Sequence, residues 1–456
     1  MNKPCLYIFI ILFGMFMVPS AYADSNQALM ALLKALHENG TIDQDVYQLI
    51  VQVANEETST GEVVVAEEGV KKSDYEEIKI ANKDQAKITM NDKFVVESAA
   101  GDFSLRVGGR IQVDAATYSE DRLRHNDGTE MRRARLFVQG KLWEAWNYKF
   151  QYDFVKTGSS GIQDAYIQYT ALKPWKLTVG HFKEPFSLQN MTSSKYITFN
   201  ERGLPHLFST GKATGIGAGT GGNNWGFNAG LFGEGIDGAS NDDDEGYSIT
   251  GRASYAPILN KQQHLHLGGS ISYRNSGSND AISFSDRPES RVTNTLLVNT
   301  GSFNTDSHLR TVGEAAYTYG PLSLQGEYYY IDIDRDGAAS PDLDFSAYYV
   351  EGSWFLTDDM RNYSVSKGAY GKIKPRTIVG KGGMGAWQLA VRFSSVDLND
   401  NDISGGDAQN LSLALNWYAT NNIRLSANYV SVLDVEGGPS DGDEPDAFQF
   451  RAQLEF

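Results

Sequence analysis

From Phe103 onward, apolar and polar residues alternate with a period of two. Within 103–118, one face carries Leu105, Val107, Ile111 and Val113, and the other carries Arg106, Arg110, Gln112 and Asp114. Successive side chains of a strand point to opposite faces, so this pattern predicts strand rather than helix. It recurs near 129–142, 146–156, 161–171, 175–184, 213–221, 225–233, 246–257, 264–275, 308–319, 322–332, 345–357, 385–397, 409–419, 422–433 and 446–456, which makes 16 strands with the first. Each averages roughly ten residues, enough to cross a bilayer at a tilt. Short links at 144–145, 172–174, 222–224, 258–263, 320–321 and 420–421 alternate with long ones. All seven tryptophans (Trp143, Trp146, Trp175, Trp225, Trp354, Trp387 and Trp417) fall at the short-link end. Such sorting fits an aromatic girdle at a membrane interface. The last strand sets Phe448, Phe450, Ala452, Leu454 and Phe456 against Gln449, Arg451, Gln453 and Glu455. These features predict an all-β fold, a 16-stranded antiparallel transmembrane β-barrel over 101–456. Closure would remove the edge strands that an open sheet exposes.

Before residue 101 the period differs. Lys3, the apolar run Leu6–Val18 and Ala21-Tyr22-Ala23 read as a secretory signal over 1–23. Cys5, the single cysteine, would leave with it. Residues 26–57 carry apolar residues at helical spacing, broken at Gly40. Residues 58–100 are acidic and aperiodic. The expected organisation is therefore a signal peptide, a short periplasmic helical segment and linker over 24–100, and the barrel.

Charge adds a second layer. The chain has a formal net charge of −17, yet the links 234–245, 332–344, 397–407 and 434–446 alone hold 6, 5, 4 and 6 carboxylates against one cation, Arg335. The acidity thus belongs to outer loops, and the remainder is mildly basic. Expected inward acids are Asp114, Asp153, Asp164, Glu314, Glu327, Glu351 and Glu455. Two segments stand out. The long link after the fifth strand, 183–212, is basic, holds Lys195 and reads as a constriction loop. The stretch 361–384 has Arg361, Lys367, Lys372, Lys374, Arg376 and Lys381 with no carboxylate. By strand count it is a periplasmic turn far longer than its counterparts, so inward folding would set its lysines opposite Lys195. Rings of Lys or Arg are how anion and phosphate pores select. The spacing does not choose among the turn's cations.

Other chemistry finds little support. His264-Leu265-His266 lacks a nearby third metal ligand, and Gly217-x-Gly219-x-x-Gly222 precedes no helix. No enzyme, cofactor, metal site or nucleic-acid partner is expected.

Several short motifs resemble the phosphate- and pyrophosphate-selective outer-membrane porins O and P. They are Gly109-Arg110 with Asp114, Arg132-Arg133-Ala134, Tyr148 with Tyr152-Asp153, Asp164-Ala165, Gly180-x-Phe182 and Thr192-Ser193-Ser194-Lys195. They continue with Ile373-Lys374-Pro375, Gly385-Ala386-Trp387, Asn416-Trp417-Tyr418-Ala419 and Ala427-Asn428-Tyr429-Val430. The resemblance implies a homotrimer in a Gram-negative outer membrane, in contact with lipid and lipopolysaccharide. It implies an anion-binding constriction drawn from Lys195, Lys372, Lys374, Arg376 and Lys381, with Asp164 facing it. It also implies a wall ladder of arginines, here Arg110, Arg133, Arg135, Arg252, Arg274 and Arg392. The expected function is passive, anion-selective diffusion of phosphate, pyrophosphate or polyphosphate. The alternative is a general or small-carboxylate/sugar porin of the same fold.

Overall fold

The computed structural model describes residues 86–90, 93–236, 244–277, 281–335 and 340–456, with Gln44 and Gln48. The expected signal peptide, the helices over 26–57 and most of the linker lie outside these residues. The chain divides into two units, Met1–Lys79 and Ile80–Phe456, and the second is the barrel.

Sixteen antiparallel strands close on themselves. They are β1 (Ser104–Ser119), β2 (Gly128–Leu142), β3 (Trp146–Asp153), β4 (Ile162–Tyr169), β5 (Lys176–Lys183), β6 (Lys212–Gly221), β7 (Trp225–Phe232) and β8 (Tyr247–Leu259). Then follow β9 (Gln263–Asn275), β10 (Ser307–Tyr319), β11 (Leu322–Asp334), β12 (Leu343–Phe355), β13 (Ala386–Asp400), β14 (Ile403–Tyr418), β15 (Ile423–Glu436) and β16 (Asp446–Glu455). Each pairs with the next, and β16 closes on β1 from Asp446↔Ser119 to Glu455↔Arg110. Alternation sets the faces. Along β13, Ala390 and Arg392 are buried while Leu389 and Val391 stay exposed, so outward positions present apolar side chains to lipid. The tryptophans gather at the short-turn end, where Trp387 stacks on Trp417 at 5.4 Å.

Two links differ from expectation. The expected outer loop 397–407 is a hairpin: β13 runs to Asp400, β14 starts at Ile403, and only Asn401 and Asp402 turn between them. Leu398, buried on the inner face, continues the period of two past the loop boundary that its charged neighbours suggested. The end of the expected linker is also strand. Phe94–Glu97, a run with two valines, pairs with Ser104–Val107 at the start of β1.

The lumen is not evenly hollow. The β5–β6 link, 184–211, folds inside. Its short helix α1 (Leu188–Met191) is capped by Ser187, and Glu327 of β11 accepts the Leu188 and Gln189 N–H groups at 2.6 and 3.0 Å. The β9–β10 link, in its described residues 281–306, folds in beside it. Phe186, Leu204 and Phe208 from one loop meet Phe284, Leu297 and Val298 from the other, against Ile331, Phe345, Val396 and Val432 of the wall. Each large side chain buried here contributes about 1.5–3 kcal/mol. This apolar mass fills the lumen along the β10–β15 side.

A candidate constriction of lysines between inward segments

The inward loop is pinned by wall arginines. Arg424 of β15 donates to the Ile197 carbonyl at 2.7 Å. Arg451 of β16 pairs with both Asp114 oxygens at 2.6 Å and with Glu201 at 2.6 Å. Arg132 holds Glu201 through two hydrogen bonds of 2.8 and 3.0 Å. Burial pushes the Glu201 carboxyl up, but Arg132, Arg451 and Arg133 together hold it well below the usual carboxylate range.

The expected ladder is built into the same scaffolding. Arg133 donates to Gln112 at 2.8 Å and lies 4.0 Å from Glu201. Arg392 pairs with Glu289 and donates to the Glu201 carbonyl at 3.1 Å. Arg252 meets both Glu314 oxygens at 2.7 and 3.1 Å, and also the Lys367 and Gly368 carbonyls at 3.0 and 2.6 Å. These three are only 2–5% exposed and act as staples. Arg110 donates to Ser194 of the loop at 2.6 Å. Arg135 pairs with Asp153 at 2.6 Å, and Arg274 lies 3.6 Å from Glu184.

The basic turn between β12 and β13 also folds inward. Arg361 stacks over the Tyr370 ring at 3.5 Å and donates to Gln325 at 2.6 Å. The Tyr370 N–H donates to Thr192 of the inward loop at 3.3 Å, so the two inward segments meet. Their meeting brings together two of the expected lysines. Lys195 of the loop and Lys372 of the turn both bind Glu455 of β16, at 2.6 and 3.2 Å. Lys374, Arg376 and Lys381 do not join them. All three are exposed, and Arg376 reaches only Asp358, at 3.5 Å.

Asp164 of β4 builds a second set of the same form. It accepts from Lys149 of β3 at 2.7 Å and from Lys212 of β6 at 2.8 Å. In both sets the carboxylate side chain is 6–9% exposed and the lysines are 13–23% exposed. The acid is behind and the ammonium groups are forward. Each triad has two positive charges against one negative, so each keeps a net unit of positive charge. Lys367 of the turn adds to the group. Burial lowers its ammonium pKa, and the nearby cations Lys149 and Arg106 lower it further. Burial likewise lowers Lys195 to about 8, with Glu455 opposing and Arg110 and Lys372 adding to the fall.

Lys149, Lys212 and Glu455 were outside the expected constriction. Glu455 was legible as an inward position, but these partnerships depend on cross-barrel register. On this side the interior stays open. An outer cavity of about 700 Å³ is bordered by Lys156, Gln163, His181 and Lys212. An inner cavity of about 490 Å³ is bordered by Asp164, Lys176, Phe182 and Lys367.

Comparisons with known proteins agree with this architecture. The family model described as phosphate-selective porin O and P matches residues 105–456. Porin O of Pseudomonas aeruginosa is 27% identical over 420 residues, covering 82% of this chain and 93% of that protein. An uncharacterized protein of Caulobacter vibrioides is 30% identical over 353 residues, 74% of this chain and 70% of the relative. Among solved structures, OmpT of Vibrio cholerae superposes with a TM-score of 0.51 at 12% identity, covering 81% of this chain and all of that one. An anion-selective porin from Comamonas acidovorans gives 0.50 at 14% identity, covering 78% and 100%. At these identities the structures share the fold.

Proposed function

The chain belongs to the family of phosphate-selective porins O and P, and from that premise we propose that it passes phosphate or pyrophosphate through a constriction of lysines. It is an outer-membrane β-barrel porin; family and fold point to a channel rather than an enzyme. The observation that carries the reading is the pair of triads Lys195–Glu455–Lys372 and Lys149–Asp164–Lys212. A carboxylate fixed between two ammonium groups is a stand-in for a phosphate oxygen. An arriving anion finds its donors already positioned and shares them with the resident acid. Lysine suits transit because its compact charge sits on a flexible stem and can follow an ion to the next site. The resident carboxylate limits how tightly the anion is held, as conduction requires. Arg110 and Arg135 supply further positive potential beside the path, and the exposed Lys374, Arg376 and Lys381 would collect or release ions at the periplasmic mouth. A homotrimer, the assembly implied by the resemblance, is part of the proposal.

Planar-bilayer recording tests it. A potassium chloride gradient should give a reversal potential of anion sign, and phosphate or pyrophosphate should block chloride current at lower concentration than acetate or succinate. A cation-signed potential ends the reading. Equal block by small carboxylates replaces it with a carboxylate or general porin.

A further inference from the structure

We infer that the conducting route is eccentric, running between the inward loop and strands β4–β7, and that Lys183 is the side chain at which its two halves join. The inference rests on the anion-channel reading above and refines it: Asp164 and Lys212 of one triad line the route, the Lys195–Glu455–Lys372 triad adds its positive potential from beside it, and Lys183 is a residue that reading does not use.

The geometry begins with what is closed. The apolar mass of the two inward loops occupies the β10–β15 side. The loop is also fastened to β1, β2 and β14–β16 through Arg110, Arg132, Asn416, Arg424 and Arg451. Open volume remains opposite. The outer cavity touches Lys156, Ser160 and Gly235 at the long-loop end. The inner cavity touches Pro174, Gly221 and Gly222, which belong to short turns or their edges. The two are therefore stacked along one stretch of wall. Their linings share one residue, Lys183, the last of β5.

Lys183 spans the gap, because its ammonium donates to the Asn190 carbonyl of α1 on the inward loop. The acceptor is neutral. The lysines on Asp164 and Glu455 share a carboxylate, whereas Lys183 hydrogen-bonds a backbone carbonyl at the waist of the route. Arg202, Lys212, Asp164 and Arg110 lie within electrostatic range of it. A carbonyl hydrogen bond is also readily exchanged for one to a passing anion, since both accept the same N–H. Lys183 is thus placed to hand an ion from the outer cavity to the inner one.

The test uses full-length protein in planar bilayers, with Lys183→Cys and charged methanethiosulfonate reagents. The natural sequence holds one cysteine, Cys5, so unchanged current in the parent protein is the baseline. Loss of the ammonium should cut chloride conductance by about twofold or more. A cationic trimethylammonium reagent should restore it, and an anionic sulfonate reagent should lower it further. If Lys183→Cys does not insert, Thr178→Cys in the inner cavity supplies the second reading, because the sulfonate reagent there should also reduce current. Silence of the inserted variants to both reagents overturns the eccentric route. If the parent protein still shows an anion-signed reversal potential, only this inference falls. A cation-signed parent removes the reading beneath it.

Discussion

Replacing Lys195 by Gln would test the constriction most directly. The triad Lys195–Glu455–Lys372 holds a net unit of positive charge with N–O separations of 2.6 and 3.2 Å. The substitution takes that net charge to zero. For an anion held about 5 Å from the triad, at an effective dielectric of about 20, the lost attraction is about 3 kcal/mol. Each 1.4 kcal/mol is tenfold, so the phosphate concentration that halves chloride current should rise by about 100-fold. Relaxation of Lys372 toward the vacant space would reduce the effect, and a rise of about 10-fold is the smallest consistent outcome. Lys372→Gln should behave alike, since it makes the same change in the same triad. Lys374→Gln serves as contrast. Its side chain is exposed, and loss of a screened surface charge should move the half-blocking concentration less than about twofold. The assay is phosphate titration of chloride current in planar bilayers. If both triad variants stay within twofold of the parent, the electrostatic reasoning is refuted even if the channel conducts anions.

Three further outcomes follow. Because burial and neighbouring cations lower Lys195 to about 8, its charge is lost as pH rises through that value, so the chloride reversal potential should shrink between about pH 7 and 9; Lys195→Arg should flatten the profile, and a parent profile flat across that range argues against the shift. Arg252→Met strands Glu314 without its cation and frees the Lys367 and Gly368 carbonyls, which should cost about 3–5 kcal/mol; unfolding of the barrel band on gels should occur at lower temperature, and an unchanged midpoint would refute the staple. Leu413→Arg places a cation on an exposed outward position of β14 and should destabilise insertion by about 2–4 kcal/mol, read by refolding into lipid vesicles; normal refolding would mean that Leu413 does not face hydrocarbon.

Strand number, turn order and the placement of the tryptophans were legible because period and link length are local properties. The inward acids were legible for the same reason: Asp114, Asp153, Asp164, Glu314, Glu327, Glu351 and Glu455 are all buried. The inward fold of both basic segments was legible from charge and length. What stayed hidden depends on who faces whom across the barrel. Nothing in the local pattern of Arg252 tells that its guanidinium holds a turn more than a hundred residues away. The same holds for Lys149 and Lys212, which come from different strands to one carboxylate. Phe284, Leu297 and Val298 gave no signal in the sequence because their burial follows no period. The hairpin of β13 and β14 was read as loop because acidic side chains interrupt an alternation that its buried Leu398 maintains.

The junction of β16 with β1 has a bearing on assembly. Glu455, which orders Lys195 and Lys372, lies on β16 and pairs in register with Arg110 of β1. Inside the same junction, Gln112 meets Gln453 at 2.5 Å, and Arg451 reaches Asp114 and Glu201. On the proposed reading, this half of the filter is therefore assembled when the cylinder shuts. A barrel caught with that junction ajar would lack one triad and the clasp on its inner loop together. Such a species would leak without discriminating, so selectivity in a bilayer doubles as a report that the first and last strands have met.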